Sequence, residues 1–403
     1  MATGAITTTA FSTGISTEDD SFKAGQEAAN KAAAKFGTRQ PQFGIVFASS
    51  KYNYNDVLRG VRSVAGTAQI IGCSSAGEFT EESVTKESVA CAFLNSENHK
   101  FFTGLGSGIR HDQKHAIEQA SLAFPKEVPG FPSLCTIMLI DGLAGVGEDM
   151  CNAAASVMGS QMRFVGGAAG DDLKLTQTSV FHDNQSSSDS VALALVASKK
   201  PMFIGVRHGH SGLSSELKIT KSNGSVVQEL EGKPAFAVWK DHTRARAKEK
   251  GMDVDALKTP SEIGNFLLQY EAGVLQGTEY KLRAPLSVNA DGSLNFVCTM
   301  KEGTSIKIME TPNRYYQIAS AKTAAETAFE AAKGAKLAGA IVFDCVCRGA
   351  ILDKDYYKSV DEIKKVVGNI PLIGFATYGE IAMDPGQLFG FHNTTTVVLL
   401  IPE

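Results

Sequence analysis

Ile71-Gly72-Cys73-Ser74-Ser75-Ala76-Gly77-Glu78 and Ile373-Gly374-Phe375-Ala376-Thr377-Tyr378-Gly379-Glu380 align without a gap. Val165-Gly166-Gly167-Ala168-Ala169-Gly170-Asp171-Asp172 repeats the pattern with one residue displaced. Each is a short apolar run that passes into small residues and glycine and ends on an acid, which reads as a strand entering a tight turn. Upstream of each lies a run rich in β-branched residues, at 44–48, 136–140 and 340–344. Such near-continuous apolar runs are those of strands buried on both faces. The spacing between run and turn leaves room for one helix and two loops. A further apolar strand follows each turn, at 88–94, 190–196 and 395–401. The chain therefore carries one α/β unit three times.

The repeat extends backwards. Residues 11–15 and 105–109 read as strands leading into helices capped by Thr17 and Asp112. Glu18, Asp19 and Asp20 suit the positive end of the first helix, and the alanine-rich stretch to Phe36 favours helix. In the third copy, 305–309 is expected as the strand and 315–333 as the helix. Each unit should run strand, helix, strand, helix, strand, strand, with the order of strands in the sheets left open. Between the second and third copies, 202–300 opens with an apolar strand at 202–206 and then departs from the pattern. Ser222-Asn223-Gly224 and Asn289-Ala290-Asp291-Gly292 mark hairpins there. Gly232-Lys233-Pro234 precedes a short helix containing Trp239, and the charged stretch 244–258 reads as an exposed helix or loop. The expected fold is mixed α/β, with helices packed on mixed sheets in two modules, 1–211 and 212–403.

The 403 residues suffice for more than one core. With 43 acidic and 39 basic side chains, the formal charge of −4 provides no field for nucleic acid. No apolar run approaches the ~20 residues of a membrane helix, and residues 1–9 lack the basic segment of a secretory signal, so a cytoplasmic protein without membrane insertion is expected. Seven cysteines without a paired-spacing framework read as reduced thiols.

These segments, in this order, resemble the FIST family. The similarity rests on Val46-Phe47-Ala48-Ser49 followed by 71–78, on Leu230-Glu231-Gly232-Lys233-Pro234-Ala235 after Val226-Val227-Gln228, on Cys345-Val346-Cys347-Arg348-Gly349, and on 374–380 with Phe391-His392-Asn393. The resemblance implies an N-terminal and a C-terminal FIST module in tandem and a role as an intracellular sensor of a small ligand. No kinase, cyclase, F-box or methyl-accepting segment is visible, so the output is expected to pass through a separate partner such as a kinase, cyclase or chemoreceptor. Some members are haem-containing nitric-oxide sensors, which makes haem held by His392 the alternative. No cofactor is firmly implied.

Among site candidates, Arg348 follows a buried strand and offers a planar fork suited to a carboxylate. An internal bridge to Glu380 or Asp344 is its structural alternative. The expected ligand is an amino-acid-like or other carboxylate metabolite, with Tyr378 and Glu380 opposite Arg348 and Asn393 entering from the following segment. Ser75 and Glu78 form the equivalent turn of the first unit. Cys345 and Cys347 share a face of an extended run, inviting a redox or metal reading, and Cys345 beside Arg348 is expected to be the fastest thiol to alkylate. His111/His115 and His208/His210 are spaced to converge, yet no third ligand accompanies either pair. Nucleophile-elbow, phosphate-loop and dinucleotide fingerprints are missing, so no enzymatic activity is expected. A cysteine nucleophile at Cys73 or Cys345 is the enzymatic alternative.

Overall fold

The computed structural model describes residues 9–387 and 389–403; the beginning of the chain read above for a signal segment lies, up to residue 8, outside them. Three six-stranded sheets follow one plan. In the first, Thr9–Ser16 lies beside Val89–Ser96, then Phe43–Ser49, then Gln69–Ser75. The second repeats this order as His99–Ser107, Ser190–Ser198, Ser133–Ile140 and Arg163–Ala168, and the third as Phe203–His208, Thr395–Pro402, Leu337–Cys345 and Leu372–Thr377. In each the last two strands are parallel. Their crossovers are helical: Tyr54–Ala65, Gly147–Met158, and Val346–Leu352 with Tyr356–Val367. The mixed α/β expectation holds.

The two remaining strands of each sheet come from another unit. After its glycine turn the chain leaves its own sheet and forms a hairpin on a different one. Glu78–Thr80 pairs with Leu372–Thr377 in the third sheet, Val180–His182 with Gln69–Ser75 in the first, and Glu380–Met383 with Arg163–Ala168 in the second. The exchange is cyclic and completes the sheets across position 211/212. One face of all three sheets meets in a shared core that holds Phe47, Ile71, Ile137, Leu139, Phe343 and Phe375. Phe47 stacks on Phe375 with ring centroids 4.3 Å apart. Helices bury the opposite faces, so both sides of the central strands are apolar and no polar alternation appears in the sequence.

The third unit corrects one expectation. Ser305–Glu310 is a strand, but it pairs with Ser211–Asn223 and Tyr270–Gln276 in a fourth, antiparallel sheet. The first strand of the third unit is Phe203–His208, and its helix is Arg314–Ala331. Residues 211–310 are therefore inserted between a strand and the helix that covers it. Close approach identifies the partners. A Cβ on Gly14 would lie 2.2 Å from the carbonyl oxygen of Ala28, on Gly106 1.8 Å from that of Ala116, and on Gly205 1.9 Å from that of Ala324. The inserted sheet has its own core around Trp239, Phe266 and Ile308, and both predicted hairpin turns are present, with Gly224 and Gly292 at positive φ.

The packing generates a first prediction. In Gly72→Ala the new methyl would sit 2.0 Å from the Val46 carbonyl oxygen, so the substitution should cost about 1–3 kcal/mol, read as a lower melting temperature. Gly264→Ala, in a helix with open space around it, should be neutral or slightly stabilising. Equal melting temperatures for the two variants would contradict the close crossing.

Candidate functional site

Where each hairpin crosses to its new sheet, the end of the sheet's second strand faces the incoming turn, so the fold presents the same junction three times. The register Val46 with Gly72, Met138 with Gly166 and Val342 with Gly374 makes Ser49, Asp141 and Cys345 equivalent, and after them Ser50, Gly142 and Val346. At the first junction the Asp172 carboxylate accepts from Ser49 Oγ at 2.8 Å and from Ser50 N at 2.7 Å, which closes it. At the second, Tyr378 packs on Gly142, and the Phe391 ring lies so close that a Cβ on Gly147 or Gly379 would meet it at 2.4 or 2.1 Å. Aromatic side chains fill that junction. At the third, Val346 faces Ala76, Gly77 and Ala376, which are too small to fill the space, and a cleft of about 400 Å³ remains.

All three units contribute to the cleft. Ala76, Gly77 and Lys86 come from the first, Leu173 from the second, and Val346, Lys354 and Tyr357 from the third. Leu173 is held at φ 62 on a short loop, and its N–H donates to Tyr378 Oη at 2.8 Å. Tyr378 Oη in turn donates to Asp171, whose carboxylate also accepts the N–H groups of Leu175, Thr176 and Gln177. Lys86 and Lys354 are exposed and, among the described residues, neither lies within ion-pair distance of an acid. Asp353, also at the cleft, has φ 51. The arrangement is an apolar slot with two cations and one acid at its mouth.

The residues expected from sequence fall elsewhere. Arg348 is fully buried, and all five of its donors are spent inside the protein. Nε donates to Asp344 at 2.7 Å, one terminal nitrogen to Gln317 Oε1 and Ser320 Oγ, the other to the Gln317 carbonyl and Ser359 Oγ. No donor is left for an outside anion, and the internal bridge to Asp344 describes it. Cys345 is buried, and burial pushes its thiol well above the usual range, so proximity to Arg348 does not activate it. Cys347 is the one thiol of the seven that is not buried.

Glu78 and Glu380 are latches at the hairpin bases. Glu78 accepts the hydroxyls of Ser75 and Ser88 and the Ser88 N–H at 3.2 Å, and burial pushes its carboxyl up to about 8. Glu380 repeats this with Thr377 Oγ1 at 2.5 Å and Thr395 N at 3.1 Å. Burial, with Cys345 beside it, holds its carboxyl well above the usual range. Asn393 is buried and donates to the carbonyl of His392. The expected set is thus dispersed: Cys345 and Glu380 meet, Ser75 and Glu78 meet separately, and Tyr378 supports Leu173 from behind.

His392 does not fit a haem ligand. Its Nε2 is engaged by the Ala382 carbonyl, to which it donates at 3.1 Å, and the cavity of about 360 Å³ beside it sets the charged Arg207, Glu279, Lys281 and Asp384 among Ile204, Val206 and Met383, unlike the apolar cavity a haem needs. Among the described residues no cluster of three or more His, Cys, Asp or Glu is placed to hold a metal ion. No helix among them is long and apolar enough to cross a membrane.

Comparison with known proteins finds two family domains in tandem. Residues 42–233 match the FIST N domain and residues 235–383 the FIST C domain. Over 393 aligned residues the chain is 21% identical to the uncharacterised protein MJ1623 of Methanocaldococcus jannaschii, spanning 89% of this chain and 73% of that protein.

Two measurements check these assignments. Arg348→Lys keeps the charge but has three donors for five buried acceptors, so it should lower the melting temperature, at about 1–3 kcal/mol for each group left unpaired, and leave small-molecule binding unchanged. Weakened binding at unchanged stability would return Arg348 to the site. For Glu78 the native carboxyl keeps, up to about pH 8, a proton that the unfolded chain releases near 4.5. Its contribution to stability is therefore full below pH 4.5 and is lost as pH rises towards 8. Thermal melts of Glu78→Gln should show a shallower fall in stability than the parent across that window; parallel profiles would contradict the buried neutral carboxyl.

Proposed function

Because the chain belongs to the FIST family, with its N and C domains in tandem, we propose that it is a non-catalytic receptor for a small organic anion in the cleft at the third junction. One observation carries the proposal: of three equivalent junctions, two are closed by the protein's own side chains and one is open. A concave slot with an apolar lining and a few polar groups at its mouth is the usual form of a small-molecule site, and only one of the three repeated positions keeps one. Val346, Leu173 and Tyr357 suit an apolar or planar body, and Lys86 and Lys354 suit a carboxylate. Asp353 adds a partner for an amino group, which favours an amino-acid-like ligand.

Sensing follows from the placement. A ligand in the cleft touches both family modules and all three units, so its binding energy acts on their relative arrangement. The signal is passed to a separate protein, such as a kinase, cyclase or chemoreceptor, and the protein acts inside the cell. The enzymatic alternative has little physical support, since Cys73 and Cys345 are both buried and burial holds each thiol well above its usual range.

Mass spectrometry of whatever the native protein releases on denaturation should recover a small carboxylate. The double variant Lys86→Glu/Lys354→Glu should bind that compound at least about tenfold more weakly in calorimetric titration, each ten-fold being ~1.4 kcal/mol, with an unchanged melting temperature. Undiminished affinity in the double variant, or steady consumption of the compound by the parent, would overturn the proposal.

A further inference from the structure

Cys345 ends the strand Leu337–Cys345, and Cys347 lies in the first turn of the helix Val346–Leu352. Had the strand continued, the two residues would stand on one face about 6.6 Å apart, near the limit for a disulfide. The change from extended to helical backbone at Cys345 brings them closer. Cys345 is the buried, extended residue that precedes the helix, Cys347 follows it by two residues, and both Cys347 and the Glu380 carboxyl act on its thiol. The other five cysteines are buried, whereas Cys347 is partly open to solvent. One partly accessible thiol thus stands two residues from a buried one at the same strand-to-helix turn, the arrangement of an attacked and a resolving cysteine.

We propose that Cys345 and Cys347 form a reversible dithiol switch that is closed by a peroxide. The Cys347 thiolate attacks a peroxide oxygen, the O–O bond breaks, and the leaving hydroxide takes a proton to become water, which leaves a sulfenic acid on Cys347. The Cys345 sulfur then attacks the Cys347 sulfur and the S–O bond breaks. The departing hydroxide takes the Cys345 proton and leaves as a second water. Two thiols are oxidised by two electrons, hydrogen peroxide is reduced to two waters, and a dithiol reductant reverses the change. Val346, between the two cysteines, lines the cleft, so the bridge clamps the strand-to-helix turn that forms one wall of the site. The thiol chemistry stands whether or not the cleft takes a ligand.

The test uses the reduced full-length chain and hydrogen peroxide. Trypsin cleaves at Lys336 and Arg348 and releases both cysteines on one peptide. After peroxide that peptide should be lighter by two hydrogens and resist alkylation, and dithiothreitol should restore it. Before oxidation, Cys347 should be the first thiol alkylated. In Cys345→Ser the sulfenic acid should persist on Cys347 and be trapped by dimedone, whereas Cys347→Ser should show neither product. A parent peptide that stays reduced, or that accumulates sulfinic acid on Cys347 without a bridge, would overturn the proposal, as would a disulfide to any other cysteine.

Discussion

Three strands run where no side chain can stand. A Cβ on Gly72, Gly166 or Gly374 would lie 2.0, 1.9 or 2.6 Å from the carbonyl oxygen of its parallel neighbour, Val46, Met138 or Val342. Two or three residues past this close contact each strand ends, at Ser75, Ala168 and Thr377, and the backbone turns out of its own sheet and crosses to another. The rest of the architecture depends on that crossing. It completes each sheet with a hairpin from a different unit and binds the two family modules into one core. It also places an acid at the base of two hairpins, where Glu78 and Glu380 accept from a hydroxyl three residues back and from an N–H at the start of the next long strand. Buried carboxyls can serve this role because a hydrogen-bonded polar group is tolerated in a core, whereas an unpaired charge is not.

Repetition lets side-chain size decide which junction stays open. The three junctions share a backbone plan, so their differences come from a few positions: Asp172 reaches Ser49 and Ser50 at the first, Tyr378 and Phe391 fill the second, and alanine and glycine leave the third open. The cations at its mouth come from separate modules, Lys86 from the N-terminal and Lys354 from the C-terminal, so the proposed anion would be held by both. Tyr378 links the second and third junctions, since its hydroxyl supports the loop that carries Leu173 into the cleft.

Much of this was legible in the sequence because its signals are local. The three strand-to-glycine runs, the apolar strands on both sides of them, and the Asn-Gly and Asp-Gly hairpins are set by turn chemistry and burial within a few residues. The hairpin exchange was not legible, because pairing of Glu78–Thr80 with Leu372–Thr377 joins residues nearly three hundred positions apart and leaves no local trace. The third unit misled for a related reason. Ser305–Glu310 stands just before the helix Arg314–Ala331 and looks like its strand, while the true partner, Phe203–His208, lies beyond a whole inserted sheet. At the site, Arg348 drew attention as a guanidinium at a strand end, but a residue so placed is as readily a buried anchor, and its five bonds make it one. Val346 was the better signal. It falls one step past the strand end in a register that the gap-free repeat already supplied, opposite Ala76 and Gly77.

The central claim, that the third junction takes the ligand, is tested most directly by hydrogen–deuterium exchange on the native protein before and after its small-molecule load is removed. Removal should accelerate exchange at 76–86 and 346–357 and leave 49–50 and 142–147 unchanged, because only the third junction has room for an occupant. Equal acceleration at all three junctions, or a change confined to the cavity beside His392, would contradict the account.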